Sequence, residues 1–307
     1  MKRTKTILMT LCAASLLACS CAKSPIPDNQ VEKVRFTAED YIFDDDVYPS
    51  TKTSLNTSTG RFAWAASDTA GIFPTTGSQV YFKLQTGAEA KSAEFDGGGW
   101  GLLTTSEYNS YYPFIGNIYL DRNEIPVSFL GQKQIGSEPN IGKYDYMYSK
   151  GVLTGNSLSF EFKHLCFIIR FQVTIPAGTY TKFAVTAPAK LLVSKGWFNL
   201  METIPSIFGE ELTNQITMDT ESVVSDGSNY FYLYMVFAPI NLSGQEITVS
   251  ALNSERKEYQ CKVTPSKEYV AGRIYALTCN TWTEVPQSMG LILEDWGDGG
   301  SIGGSAD

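Results

Sequence analysis

Ser159-Phe160-Glu161-Phe162-Lys163 places an aromatic ring at every second position, with a small polar or charged side chain between. Successive side chains of a β-strand point to opposite faces, so this segment has one face to bury and one to wet. Val34-Arg35-Phe36-Thr37-Ala38 and Val80-Tyr81-Phe82-Lys83-Leu84 repeat the pattern. Phe167 to Val173 and Tyr230 to Phe237 are longer and apolar on both faces, which predicts central strands of packed sheets. Between these runs stand turn-forming clusters: Asp96 to Gly99, Gly136 to Asn140, Gly155-Asn156 and Asp226 to Asn229. No long segment has a period of 3.6; Ile204 to Thr213 is the one stretch compatible with a short helix. The expected fold is therefore all-β, built as sandwiches.

Composition agrees. Apolar residues make up 43% of the 307, ample for a core, and 17 Phe with 17 Tyr favour strands. The Gly155 to Ser157 cluster reads as a boundary between two units of ordinary domain size, 33–156 and 157–307. No exact internal repeat suggests a solenoid.

The N-terminus reads differently. Lys2, Arg3 and Lys5 precede an apolar run from Ile7 to Leu17 and then Ala18-Cys19. The run is about ten residues, against the roughly 20 that cross a bilayer, so residues 1–18 are expected to be an export signal. Leu16-Leu17-Ala18-Cys19 resembles the lipobox of bacterial lipoproteins, which implies that Cys19 becomes the lipid-modified first residue. Two or more acyl chains hold a protein stably on a membrane. Residues 19–32, with Pro25 and Pro27, read as the lipidated tether. Loss of residues 1–18 would leave 21 basic against 32 acidic residues, a net charge near −11. Such a chain has no broad electrostatic attraction for nucleic acid.

Little in the sequence points to catalysis. His164 is the single histidine and lies on an alternating segment, where it reads as a structural residue. Neither a nucleophile elbow nor a phosphate or dinucleotide loop is present, and no cofactor or metal site is expected. Asp44-Asp45-Asp46 and the Asp295, Asp298 pair read as solvated loop charge. Cys166 reads as a small buried hydrophobe. Cys261 and Cys279 fall on strands read as neighbours and form a candidate disulfide, although hairpin register would not set them opposite each other. Tyr108, Tyr111, Tyr112, Phe114 and Tyr119, with Tyr144, Tyr146 and Tyr148, have two readings: a sugar-stacking platform, or sandwich strands with rim tyrosines. The second is favoured.

Several segments, in order, resemble the Bacteroides-type fimbrillins, the Mfa-like fimbrial subunits. They are Thr51-Lys52-Thr53-Ser54-Leu55, then Gly60-Arg61-Phe62-Ala63-Trp64 with Asp68-Thr69-Ala70-Gly71-Ile72-Phe73. Phe160 to His164 leading into Phe167 to Phe171 follows, then Phe237-Ala238-Pro239-Ile240-Asn241-Leu242-Ser243-Gly244. Gly272 to Leu277 and Leu291 to Trp296 close the series. The resemblance implies two tandem transthyretin-like β-sandwich domains in a non-enzymatic subunit of surface fimbriae at the outer membrane. It further implies that a trypsin-like protease removes the first strand, Val31 to Glu39, and that a strand from another subunit fills the groove. Lys52 and Arg61 are the candidate maturation sites. The 11 residues after Trp296 include five glycines, a poor donor strand, which favours a tip, anchor or accessory subunit over a shaft subunit. The alternative is a monomeric glycan-binding lipoprotein of the outer membrane.

Overall fold

Alternation builds the first sheet as expected. In Lys33–Ala38 the residues Val34, Phe36 and Ala38 are buried while Lys33 and Arg35 face water. The computed structural model describes residues 31–43, 55–56, 61–97, 102, 107–116, 120–136, 138–139 and 141–286, and every regular element among them is a strand. Seven strands close into a barrel, in the order Lys33–Ala38, Ser157–His164, Met147–Thr154, Tyr108–Tyr112, Thr69–Pro74, Val80–Thr86 and Ser92–Asp96, the last pairing back with the first. Its interior is aromatic: Phe36, Trp64, Phe82, Phe95, Phe160 and Phe162 share one core.

A second, larger core lies between two further sheets. One has seven strands: Glu138–Pro139, Gln132–Ile135, Gln215–Ser225, Gly178–Thr186, Ile247–Asn253, Glu258–Val263 and Thr283–Val285. The other has four: Phe231–Phe237, Phe167–Val173, Arg273–Cys279 and Ile42–Phe43. A three-stranded ribbon of Ile207–Thr213, Leu192–Phe198 and Ile125–Ser128 extends from this unit.

Three expectations need correction. Gly155-Asn156 is the turn of a hairpin inside the barrel, not a break at 156/157. Met147–Thr154 and Ser157–His164 pair across it, and Gly155 supplies a positive φ of 60°. Leu158, Phe160 and Phe162 therefore belong to the first core, and the chain leaves it for the second at Leu165-Cys166, having already lent the second core Ile125, Val127 and Phe129. Ile204 to Thr213 contains no helix: Ile207–Thr213 pairs with Leu192–Phe198, and Phe208 packs on Trp197 at 5.0 Å between ring centroids.

Phe231–Phe237, expected to be central, has one strand neighbour among the described residues, Phe167–Val173. Its other edge is sealed by two buried glutamine side chains. The Gln132 amide accepts from Val236 N–H (2.9 Å) and donates to Val236 C=O (2.8 Å). Gln134 accepts from Tyr234 N–H (3.1 Å) and donates to Tyr232 C=O (2.8 Å). A primary amide carries the same donor and acceptor as a peptide group, so two glutamines, two residues apart, stand in for a strand. This removes an open edge that would otherwise invite pairing with another chain.

Candidate functional site

Lys33–Ala38 is the strand whose position is hardest to explain by local folding. It lies parallel to Ser157–His164, with Phe36 beside Phe160, and antiparallel to Ser92–Asp96, with Phe36 beside Ala93. Neither neighbour is joined to it by a hairpin, so the strand enters a slot formed by distant parts of the chain. Phe36 fills the slot: its ring centroid is 4.2 Å from Phe95, 5.2 Å from Phe160 and 5.1 Å from Phe162. Burying that side chain contributes about 1.5–3 kcal/mol. The outer face carries only exposed polar contacts, such as Arg35 with Glu94 at 3.3 Å, which add little.

The segment continues beyond the barrel. Glu39 N–H donates to Phe162 C=O at 2.9 Å, and the Glu39 carbonyl bonds His164 Nε2 at 2.9 Å. Tyr41 stacks on the His164 ring at 3.8 Å and donates its hydroxyl to Asp145 Oδ1 at 2.7 Å. The same carboxylate oxygen bonds His164 Nδ1 at 2.8 Å. Ile42–Phe43 then adds to Arg273–Cys279 as a parallel edge strand of the second unit. Residues 31–43 thus supply the strand that closes the barrel and an edge strand of the second unit, pinned midway by a buried Tyr41–Asp145–His164 cluster.

The cluster accounts for the single histidine: both ring nitrogens are bonded inside the protein, as a structural histidine requires. Burial opposes a charge on His164, but the Asp145 carboxylate and the Glu39 carbonyl outweigh it and raise the pKa above the ordinary value. A raised folded pKa means that the stabilisation is complete below the unfolded value of about 6.5 and is lost as pH rises through the folded one. The Tm of the protein is expected to fall on that rise, and His164→Gln to flatten the slope. Thermal melts across this pH range check it; equal slopes in the two proteins would contradict the assignment.

Trp64 stands beside the slot and is completely buried. Its Nε1–H donates to Lys91 C=O at 3.0 Å. The turn that follows is tied by Asp68: its Oδ2 accepts from Ala65 N–H at 2.7 Å, and Asp68 N–H returns to Ala65 C=O at 2.9 Å. The segment Trp64 to Phe73, quoted for its resemblance, is thus a core tryptophan, a tight turn and an apolar strand.

Other sequence-derived sites are placed as follows. Arg61 lies in the short strand Arg61–Phe62, paired with Leu55–Asn56, three residues before Trp64. Cys19, Lys52, the Asp44 triplet, Tyr119 and Leu291 to Trp296 lie outside the described residues. Tyr108, Tyr111, Tyr112, Tyr144, Tyr146 and Tyr148 are buried and offer no open face to a sugar. Their hydroxyls point to protein partners: Tyr111 to Gln79 at 2.6 Å, Tyr112 to Asp68 at 2.8 Å, Tyr146 to Ser128 C=O at 3.1 Å. Cys166 is a buried thiol, as expected.

The fimbrillin-like family model matches residues 62–296, about three quarters of the chain. The chain belongs to the fimbrillin-like family. A solved structure of a candidate cell adhesion protein from Bacteroides uniformis is similar at a TM-score of 0.52, with 15% identity, covering 85% of this chain and 98% of its own. Another, from Bacteroides ovatus, gives a TM-score of 0.52 at 14% identity, covering 83% and 96%. At these identities the likeness is one of fold. None of the curated protein sequences matches the chain. For this fimbrillin-like chain, the slot around Lys33–Ala38 was only half legible in advance: the alternation marked the strand, but the parallel partner more than a hundred residues away carries no local signal.

Proposed function

We propose that this chain is a non-catalytic fimbrial subunit that assembles by β-strand complementation, with residues 31–43 as the removable occupant of the acceptor groove. The observation that carries the reading is the placement of Lys33–Ala38 between two strands to which no hairpin joins it. A cut between residue 43 and residue 55 would sever one connection and leave every other strand pair intact. The vacated slot would then expose Phe95, Phe160 and Phe162 together with unpaired backbone groups, a strong attractant for another alternating strand.

In this reading Lys52 is the maturation site. Arg61 is the poorer one, because a cut there would break the short pair leading into Trp64. Cys19 carries the lipid that brings the precursor to the outer membrane, and the partners are other fimbrial subunits in a homo- or hetero-polymer. The two cores correspond to two tandem transthyretin-like units, the first closed into a barrel by its own N-terminal strand and the second built mainly from the chain after Leu165. Lipidation and release exclude each other, since a cut after Lys52 removes Cys19 along with the strand. An uncut subunit keeps its groove filled and its anchor, as a membrane-proximal or accessory subunit would; a cut subunit can join a polymer. Electron microscopy of cells expressing the chain, beside an immunoblot for the shortened form, tests this. Surface fibres labelled by antibody to the chain support it; a bare surface with abundant shortened protein contradicts it.

A further inference from the structure

We propose that Cys261 and Cys279 are a redox pair that closes into a disulfide clasping the two sheets of the second core together. Cys261 lies in Glu258–Val263 of the seven-stranded sheet, opposite Val249. Cys279 ends Arg273–Cys279 of the four-stranded sheet, beside Val173. The strands are thus not hairpin neighbours, and the register objection raised by the sequence does not apply. Both residues are buried free thiols of one core, and the strands that carry them pack against each other.

The two sulfurs are not equivalent. The neighbouring Cys279 side chain outweighs burial and shifts the Cys261 thiol downward. The neighbouring sulfur and burial push Cys279 in the opposite direction. Cys261 is therefore the attacking thiolate and Cys279 the resolving thiol. Both thiols are shut off from solvent, and short structure lies beside them in the chain: Trp282 donates Nε1–H to Cys279 C=O at 3.1 Å, and Thr283–Val285 is a three-residue edge strand on Glu258–Gln260. Opening that short strand admits an oxidant.

The oxidant is a disulfide, borne by a protein or a small thiol. The Cys261 thiolate attacks one of its sulfurs, forming a mixed disulfide and expelling the other sulfur as a thiolate. Cys279 passes its proton to that thiolate and attacks Cys261 Sγ. The intramolecular bond forms, and the remaining half of the oxidant leaves as a thiolate. The protein dithiol has lost two electrons and two protons, and the oxidant's disulfide is reduced to two thiols.

The test uses the purified full chain, reduced, exposed to oxidised glutathione during and after refolding, then alkylated and analysed by mass. The expected product contains a linked peptide joining Cys261 to Cys279, and its Tm is higher than that of the reduced protein by about 5 °C or more. In Cys279→Ser the glutathione adduct should collect on Cys261, whereas in Cys261→Ser residue 279 should stay free for alkylation. Full alkylation of both cysteines after oxidation would overturn the proposal. So would intermolecular bonds in place of the internal one, an unchanged Tm in the linked protein, or faster capture of Cys279 than of Cys261.

Discussion

Trp64→Ala should lower the free energy of unfolding by about 3–5 kcal/mol, the range for deleting a large buried aromatic. The indole is completely buried and contacts four other rings: Phe36 at 6.1 Å, Phe95 at 5.2 Å, Tyr112 at 5.4 Å and Phe162 at 5.7 Å between centroids. These rings come from four different strands, so no single side-chain shift refills the space. The substitution also takes the Nε1–H donor from Lys91 C=O. That loss can be separated: Trp64→Phe keeps most of the ring and forfeits the bond, and should cost about 1–3 kcal/mol. Urea unfolding of the three proteins measures both differences. A Trp64→Ala cost below about 1 kcal/mol would mean that the indole does not hold the barrel core together.

Phe36→Asp should produce a still larger but spatially confined effect. An ionised carboxylate inside an aromatic cluster with no cationic partner is not tolerated, and substitutions of this kind exceed about 4 kcal/mol. Where the loss appears depends on connectivity. The strand Lys33–Ala38 can leave without breaking a hairpin, so the cheapest response is for it to vacate its slot. Hydrogen exchange should then show lost protection over 33–38 and along the facing edges, Ser92–Asp96 and Ser157–His164. Protection in Phe167–Val173 and Gly178–Thr186 of the second core should persist. Uniform loss across both cores would mean that the strand is an integral part of one cooperative unit. Unchanged protection would mean that Phe36 contributes little.

Period-two alternation marked the strands whose two faces differ most in polarity: Lys33–Ala38, Val80–Thr86 and Ser157–His164 all bury the predicted side. Trp64 and Asp68 stood out only through the family resemblance, since a tryptophan outside a strand carries no alternation. What escaped was long-range or ambiguous. Gly155-Asn156 carries the same residues a linker would, and only the pairing of its flanks reveals a hairpin. Gln132 and Gln134 alternate with exposed residues and so look like a solvent face, yet both are buried, because an amide can pair a backbone edge as water would. Ile125–Ser128 and Gln132–Ile135 cross to pair with Leu192–Phe198 and Gln215–Ser225, contacts that no local pattern encodes. The candidate groove combined both cases. Its occupant and one wall, Ser157–His164, were legible as strands; their pairing was not.

The most direct test is the molar mass of the protein before and after limited trypsin cleavage, by size-exclusion chromatography with light scattering. N-terminal sequencing identifies the product that begins at Thr53, and mass analysis follows the released fragment. The uncut chain should be a monomer. The cut chain, once separated from its fragment, should pass into oligomers or a ladder of assemblies, and excess synthetic peptide spanning residues 31–43 should hold it as a monomer. A product beginning at Thr53 that has lost the fragment and stays folded, soluble and monomeric at high concentration would contradict strand complementation.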